Sequence, residues 1–247
     1  MIHKTPGIVV KTVKYGETSL IVNIFTELFG MQTYLINGVR KQQKKGTKLI
    51  MLQPGAILDL EVYHNELKNL QRLKECSWKS IYNELFSDIV KNSIAVYMIE
   101  LLQKILRQPE ANADLYYFCE DAFIHLDKCN KSSAANFALF FTLQISSFLG
   151  FKIENSHSFT DTTKQLYFDL KEGSFSDKKP THNYFIENED AYNTLELLKV
   201  MHPNELDQIK LKKEIRRNLL NAYQLFYSLH LGDFITIKSD KILREIL

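Results

Sequence analysis

The spacing of apolar residues changes once along this chain, near Trp78, and that change restricts it to a strand-built module followed by a helical one. Before Trp78 the apolar residues fall in short β-branched and aromatic runs separated by turn formers. Residues 7–14 (GIVVKTVK) and 20–26 (LIVNIFT) flank YGETS, and GMQTYLIN follows the turn at Phe29-Gly30. After Pro54-Gly55, Ile57, Leu58, Leu60, Val62 and Tyr63 alternate around Asp59 and Glu61, the period-two pattern of a half-buried strand. Residues 67–77 (LKNLQRLKECS) fit either one more strand or a helix, because leucines recur there at every third position. Five short strands in about 75 residues suggest a small closed barrel.

Beyond Trp78, Ile81, Leu85, Ile89, Ile94, Met98, Leu101, Leu102 and Ile105 keep a helical period until Gln108-Pro109 ends it, which predicts one helix over 81–107. A second helix is expected over 113–128 and a third over 133–149, with Gly150 as its left-handed cap. The helical pattern lapses after Phe151, and QLYFDLKEGSFSD reads as a hairpin near 165–180 that turns at Lys171-Glu172-Gly173. Asn188, with Glu189 and Asp190 behind it, predicts a side-chain-capped helix start, since carboxylates suit the positive end of a helix dipole. The last helix is expected from 204 to 231, stopping at Gly232. The fold class is therefore α+β, in two domains: a small barrel over 1–80 and a mainly helical domain with a small hairpin over 81–247.

The net charge of +2 conceals a division, because residues 1–80 carry 12 Lys/Arg against 6 Asp/Glu while residues 154–208 carry 5 against 11. Residues 209–247 are again basic, 8 against 4. Cys76, Cys119 and Cys129 are too few and too far apart for a disulfide framework or a CxxC metal site, which fits a reducing, cytoplasmic setting. The opening MIHKTPGIVVKTVKYG is broken by Lys11 and makes a poor secretory signal. Residues 132–151 carry no charge, yet Asn136, Thr142, Gln144, Ser146 and Ser147 interrupt them, so they read as a buried helix rather than a membrane span. No GxSxG, HExxH, GxxxxGK[ST] or GxGxxG occurs, and the seven histidines share no spacing that suggests a site, so no enzyme class is indicated.

The chemistry that remains is charge. No Asp or Glu occurs from Leu28 to Leu58, while Arg40, Lys41, Lys44, Lys45 and Lys48 crowd a loop between barrel strands. A partner must neutralise them, and a polyanion is the natural one. Small barrels that bind single strands do so by a basic groove plus aromatic faces on which bases stack. Among Tyr15, Phe25, Phe29, Tyr34 and Tyr63, Tyr15 beside Gly16 is the aromatic placed in a turn, with Lys11 and Lys14 near it. On the expected last helix, Lys210, Lys213 and Arg217 fall on one flank with Lys212 and Arg216 beside them, a second candidate phosphate surface that Lys238, Lys241 and Arg244 extend.

The segment GIVVKTVKYGETSLIVNIFTELFGMQTYLINGVRK, with LQPGAILDLEVY after it and FYSLHLGDFITIKSDKILREIL at the end, resembles the RecO family of bacterial recombination mediators. The resemblance extends over nearly the whole chain. It implies an N-terminal OB-fold, binding to single- and double-stranded DNA, annealing of complementary strands, and work with RecR and the C-terminal tail of single-strand-binding protein to load RecA. It also implies a bacterial cytoplasmic protein that associates with the nucleoid during repair. Many family members hold one zinc through two CxxC pairs around the hairpin. Here the second pair is replaced by Asp177-Lys178-Lys179-Pro180 and no cysteine follows Cys129, so the zinc site is expected to be lost. His157, Asp161, Asp177 and His182 are the remaining side chains near it able to bind a metal. The alternative readings are an OB-fold RNA-binding or translation-associated protein with a helical docking domain, and a metal-dependent nuclease.

Overall fold

The structure, a computed structural model, describes residues 1–38, 46–151, 153, 159, 163–233 and 235–246, except the side chains of 46–48. Five strands form a closed barrel: β1 (Ile2–Tyr15), β2 (Ser19–Thr26), β3 (Gly30–Ile36), β4 (Ile57–Tyr63) and β5 (Gln71–Ser80), in the order β1-β2-β3-β5-β4. A short helix, α1 (Gly46–Met51), connects β3 to β4. All pairings are antiparallel except β3 with β5, the closure of an OB barrel. Alternation decides which side chains go in: Val9, Leu20, Val22, Ile24, Tyr34, Ile36, Leu58, Leu60 and Val62 are buried together, with Leu52 closing the core after α1. Residues 67–77, ambiguous by sequence, supply most of β5.

Helices follow: α2 (Ile89–Ile105), α3 (Ala113–Lys128) and α4 (Lys131–Phe148), then α5 (Glu189–Lys199), α6 (Lys213–Leu231) and α7 (Asp240–Ile246). Between α4 and α5 lies a three-stranded sheet of order β7-β6-β8, from β6 (Tyr167–Asp169), β7 (Ser174–Ser176) and β8 (Phe185–Glu187). The chain divides into two compact units, Met1–Ser87 with Ile99–Asp127 and Asp88–Met98 with Lys128–Leu247.

Four expectations are corrected. The helix predicted over 81–107 starts only at Ile89. Asp127 accepts hydrogen bonds from the backbone N–H groups of Asn83, Glu84 and Leu85 at 2.8–3.0 Å, which fixes those residues outside a helix, and Asp88 caps α2 through Lys91 N–H at 2.9 Å. The helix predicted over 204–231 is broken. Pro203–Asp207 forms a 3-10 turn, and the Asn136 amide donates to the carbonyls of Leu206 (3.3 Å) and Ile209 (2.7 Å), so α6 begins at Lys213. Asn188 starts α5 with φ of 50°, but its side chain makes no capping hydrogen bond; first-turn Glu189 and Asp190 supply the favourable charge instead. The expected two-stranded hairpin gains a third strand, β8, paired along β6.

The uncharged run is the buried helix α4, and its polar groups are used internally. Thr142 Oγ1 meets Tyr97 Oη at 3.0 Å, Tyr227 Oη donates to Thr142 O at 2.7 Å, and Ser146 donates to Leu143 O at 2.6 Å. Among the described residues no helix is long and apolar enough to cross a membrane. Gly150, at φ +82°, ends the helix in the left-handed conformation expected of it.

Side chains hold the small sheet. Phe168 stacks on Phe175 at 4.6 Å and on Phe226 at 6.3 Å, Asp169 accepts the N–H groups of Lys171 and Glu172, and His182 Nε2 lies 3.2 Å from Asp169 Oδ2. Among the described residues no group of three or more His, Cys, Asp or Glu is arranged to hold a metal; His157 and Asp161 lie outside the described residues. Because α4 and the Phe168 packing give this region an apolar core, exhaustive treatment with a chelator is expected to leave the thermal midpoint unchanged. A drop of several degrees would show that a metal supports this sheet.

Candidate nucleic-acid interface

Strand register sorts the exterior of the barrel by charge. Lys11 opposes Asn23, Val13 opposes Ile21 and Tyr15 opposes Ser19, while Asn23 opposes Thr33 and Ile21 opposes Leu35. Opposed residues share a face of the sheet, and the residues between them fill the core, so these rows form the outer wall of β1-β2-β3. Lys11, Val13 and Tyr15 are exposed there, Tyr15 at 54%, and the other members are partly exposed. None is a carboxylate.

The wall of β4 and β5 is the opposite. Asp59 opposes Ser77 and Glu61 opposes Glu75, with Lys4 and Lys74 as counter-ions to Glu61 at 3.4 and 2.7 Å. The hydrogen bond and charge of Lys74 hold the Glu61 carboxyl below its usual range. Acids thus concentrate on one wall and leave the other open to a polyanion.

Of the candidate contacts, Lys11 and Tyr15 stand on the acid-free wall. Lys14 does not, because it opposes Leu20, whose side chain fills the core; Lys14 is exposed from the inward-facing side near the strand end. Arg40, Lys41, Lys44 and Lys45 lie outside the described residues, and for Lys48 only the backbone, within α1, is described. The basic segment nonetheless departs from a defined place. Ser19 donates to Asn37 Oδ1 at 3.1 Å, so the loop leaves the wall at the end where Tyr15 stands.

The other aromatics are occupied. Phe25 and Tyr34 are buried, Phe29 stacks flat on His64 at 3.8 Å, and Tyr63 belongs to the acidic wall. Burial of His64, helped by the charge of His3, lowers its pKa below the ordinary histidine value. The neutral ring is favoured in the fold, so stability conferred by this site is full above the unfolded-state pKa and declines as pH falls through the depressed folded value. A thermal-midpoint series from pH 7 to 5 should fall less steeply in His64→Phe than in the wild type. Equal slopes would remove His64 from the account.

In the second unit Lys210 lies before α6, where its ammonium donates to Asp207 O (2.6 Å) and Ser132 Oγ (3.2 Å), so it does not share a helix flank with Lys213 and Arg217. Lys213 and Arg217 line a shallow groove with Arg216 and Arg244. Its floor is Ala135, Ala138, Leu139, Leu220 and Leu243. Lys213 donates to Glu245 O at 3.1 Å and Arg217 to Arg244 O, which ties α6 to α7. The buried Cys119 thiol has its pKa raised by desolvation, which disfavours the reactive thiolate.

Sequence reasoning missed Asn23 and Thr33. A single polar residue in a strand carries no pattern, and only register shows both beside Lys11 on the acid-free wall.

Barrel topology and charge division define an OB-like barrel joined to a helical region. The comparisons give the lineage. A family model described as recombination protein O N terminal matches residues 1–82, and one described as recombination protein O C terminal matches residues 86–240. The chain is 30% identical over 246 residues to the DNA repair protein RecO of Azobacteroides pseudotrichonymphae and 31% over 246 to that of Phocaeicola vulgatus, in each case spanning 100% of this chain and 99% of the relative. It is 31% identical over 243 residues to that of Flavobacterium johnsoniae, spanning 98% of each. The chain belongs to the RecO family of DNA repair proteins.

Proposed function

We propose that this protein is a non-catalytic recombination mediator of the bacterial cytoplasm. It binds single- and double-stranded DNA, anneals complementary strands and, with RecR, helps load RecA onto DNA coated by single-strand-binding protein. The observation that carries the reading is the acid-free wall of β1-β2-β3, with Lys11 and Tyr15 exposed, from whose end the Arg40–Lys48 segment departs. Phosphates contact the cations, which fixes the strand without reading sequence, and bases stack on Tyr15. The α6–α7 groove, apolar beneath four cations, suits the acidic and apolar tail of single-strand-binding protein, with Lys213 and Arg217 meeting its carboxylates.

Two complementary labelled DNA strands test this function. The protein should accelerate their annealing and leave both strands intact in magnesium. Absence of acceleration, with tight binding to RNA, would favour an RNA-binding role, and magnesium-dependent cleavage would identify a nuclease.

A further inference from the structure

The barrel unit also contains a cleft of about 520 Å3, within the roughly 300–1,000 Å3 usual for small-ligand sites. It is lined by Asn23 of β2 and Met31–Thr33 of β3, the β4–β5 loop from His64 to Asn69 with Gln71 at the start of β5, and the chain from Gln103 to Pro109 at the end of α2. Asn23 and Thr33 belong both to this cleft and to the acid-free wall, so a strand lying along the wall reaches the cleft without a break.

Amide groups dominate the polar lining, and they divide into two kinds. Three glutamines are committed to the fold: Gln32 donates to Phe29 O (2.8 Å), Gln71 to Asn65 O (2.9 Å) and Lys68 O (2.5 Å), and Gln103 to Val10 O (3.0 Å). Asn23, Asn69 and Thr33 are not, since their side chains make no hydrogen bond among the described residues. A cleft that fixes its frame with three amides and leaves two amides and a hydroxyl unspent presents donors and acceptors to something else. Met31, Leu106 and Pro109 supply apolar surface in the same cleft, and Lys68 and Arg107 bring two cations against one carboxylate, Glu66.

Paired donors and acceptors, apolar surface and cations match one unpaired nucleotide: an edge to hydrogen-bond, faces to cover and a phosphate to neutralise. We infer that the cleft receives a single nucleobase splayed from the bound strand, hydrogen-bonded by Asn23, Asn69 and Thr33. This rests on the nucleic-acid reading above and adds to its base stacking a set of hydrogen bonds to one base edge. For a protein that anneals strands, the consequence is a preference for unpaired bases over duplex, because a paired base is not free to enter.

The test uses the full chain and two oligomers of equal length, thymidylate and its fully abasic counterpart, with affinities read by fluorescence anisotropy at fixed salt. The wild type should prefer the base-bearing strand. In Asn69→Ala that preference should fall about three- to tenfold, the loss of a hydrogen bond, while affinity for the abasic strand is unchanged. Trp78 fluorescence and circular dichroism confirm that this variant, substituted in an exposed loop, keeps the fold. Equal losses on both oligomers, or an unchanged preference, overturn the cleft while leaving DNA binding intact. A wild type that binds neither oligomer overturns both.

Discussion

Asp127→Ala is expected to lower the stability of the barrel unit by about 4 kcal/mol, because one buried carboxylate anchors three backbone amides. Asp127 is 4% exposed, and it accepts from Asn83 N–H at 3.0 Å and from Glu84 and Leu85 N–H at 2.8 Å each. Hydrogen bonds to a charged group contribute about 1.5–3 kcal/mol each, and truncation leaves the amides without their acceptor as well as opening a gap. Partial rescue by water reduces the sum. Urea unfolding followed through Trp78, the single tryptophan and a member of β5, reads this unit directly. Asp127→Asn should fall between, keeping one carbonyl acceptor but turning an NH2 group toward a donor. A loss below about 1 kcal/mol for the alanine variant would mean that the segment after β5 is fixed by something else.

Gly30→Ala is expected to cost about 3 kcal/mol, from two separable causes. Gly30 sits at φ +62°, where a side chain adds about 1–2 kcal/mol of backbone strain. A Cβ there would also lie 2.0 Å from the carbonyl oxygen of Glu110 and 2.6 Å from its carbon, so backbone has to move. Gly16→Ala separates the causes, since Gly16 has φ +58° and nothing within 4 Å of its Cβ position. It should show the strain alone. Equal effects of the two substitutions would deny the close approach of Glu110 to the β2–β3 turn. Because Pro109 lines the base-receiving cleft, Gly30→Ala should also weaken its preference for base-bearing strands.

What could be read from sequence depended on how local the cause was. The barrel strands were legible because alternation is a property of adjacent residues, and Gly150 ended α4 because left-handed backbone selects glycine on the spot. Residues 81–88 carried a helical pattern and are not helical, since their amides answer to Asp127, more than forty positions away. Residues 208–212 were misread for the same reason, with Asn136 some seventy positions distant. The three-residue strand β8 and the six-residue α1 were too short for periodicity to register. The site divides likewise. An acid-free basic run shows in any linear reading, whereas the acid-free wall needs register, which also separates Lys11 and Tyr15 from Lys14.

The salt dependence of binding to a labelled single-stranded oligonucleotide tests most directly whether the basic segment and the wall beside it bind a polyanion. Each phosphate neutralised on a single strand steepens the fall of log K with log salt by about 0.7. Replacing Arg40, Lys41 and Lys44 by alanine should therefore shallow that slope by about 2, weaken all sequences alike, and leave the Trp78-monitored stability within about 0.5 kcal/mol. An unchanged slope in the triple variant would contradict the account and move the phosphate contacts off the Arg40–Lys48 segment.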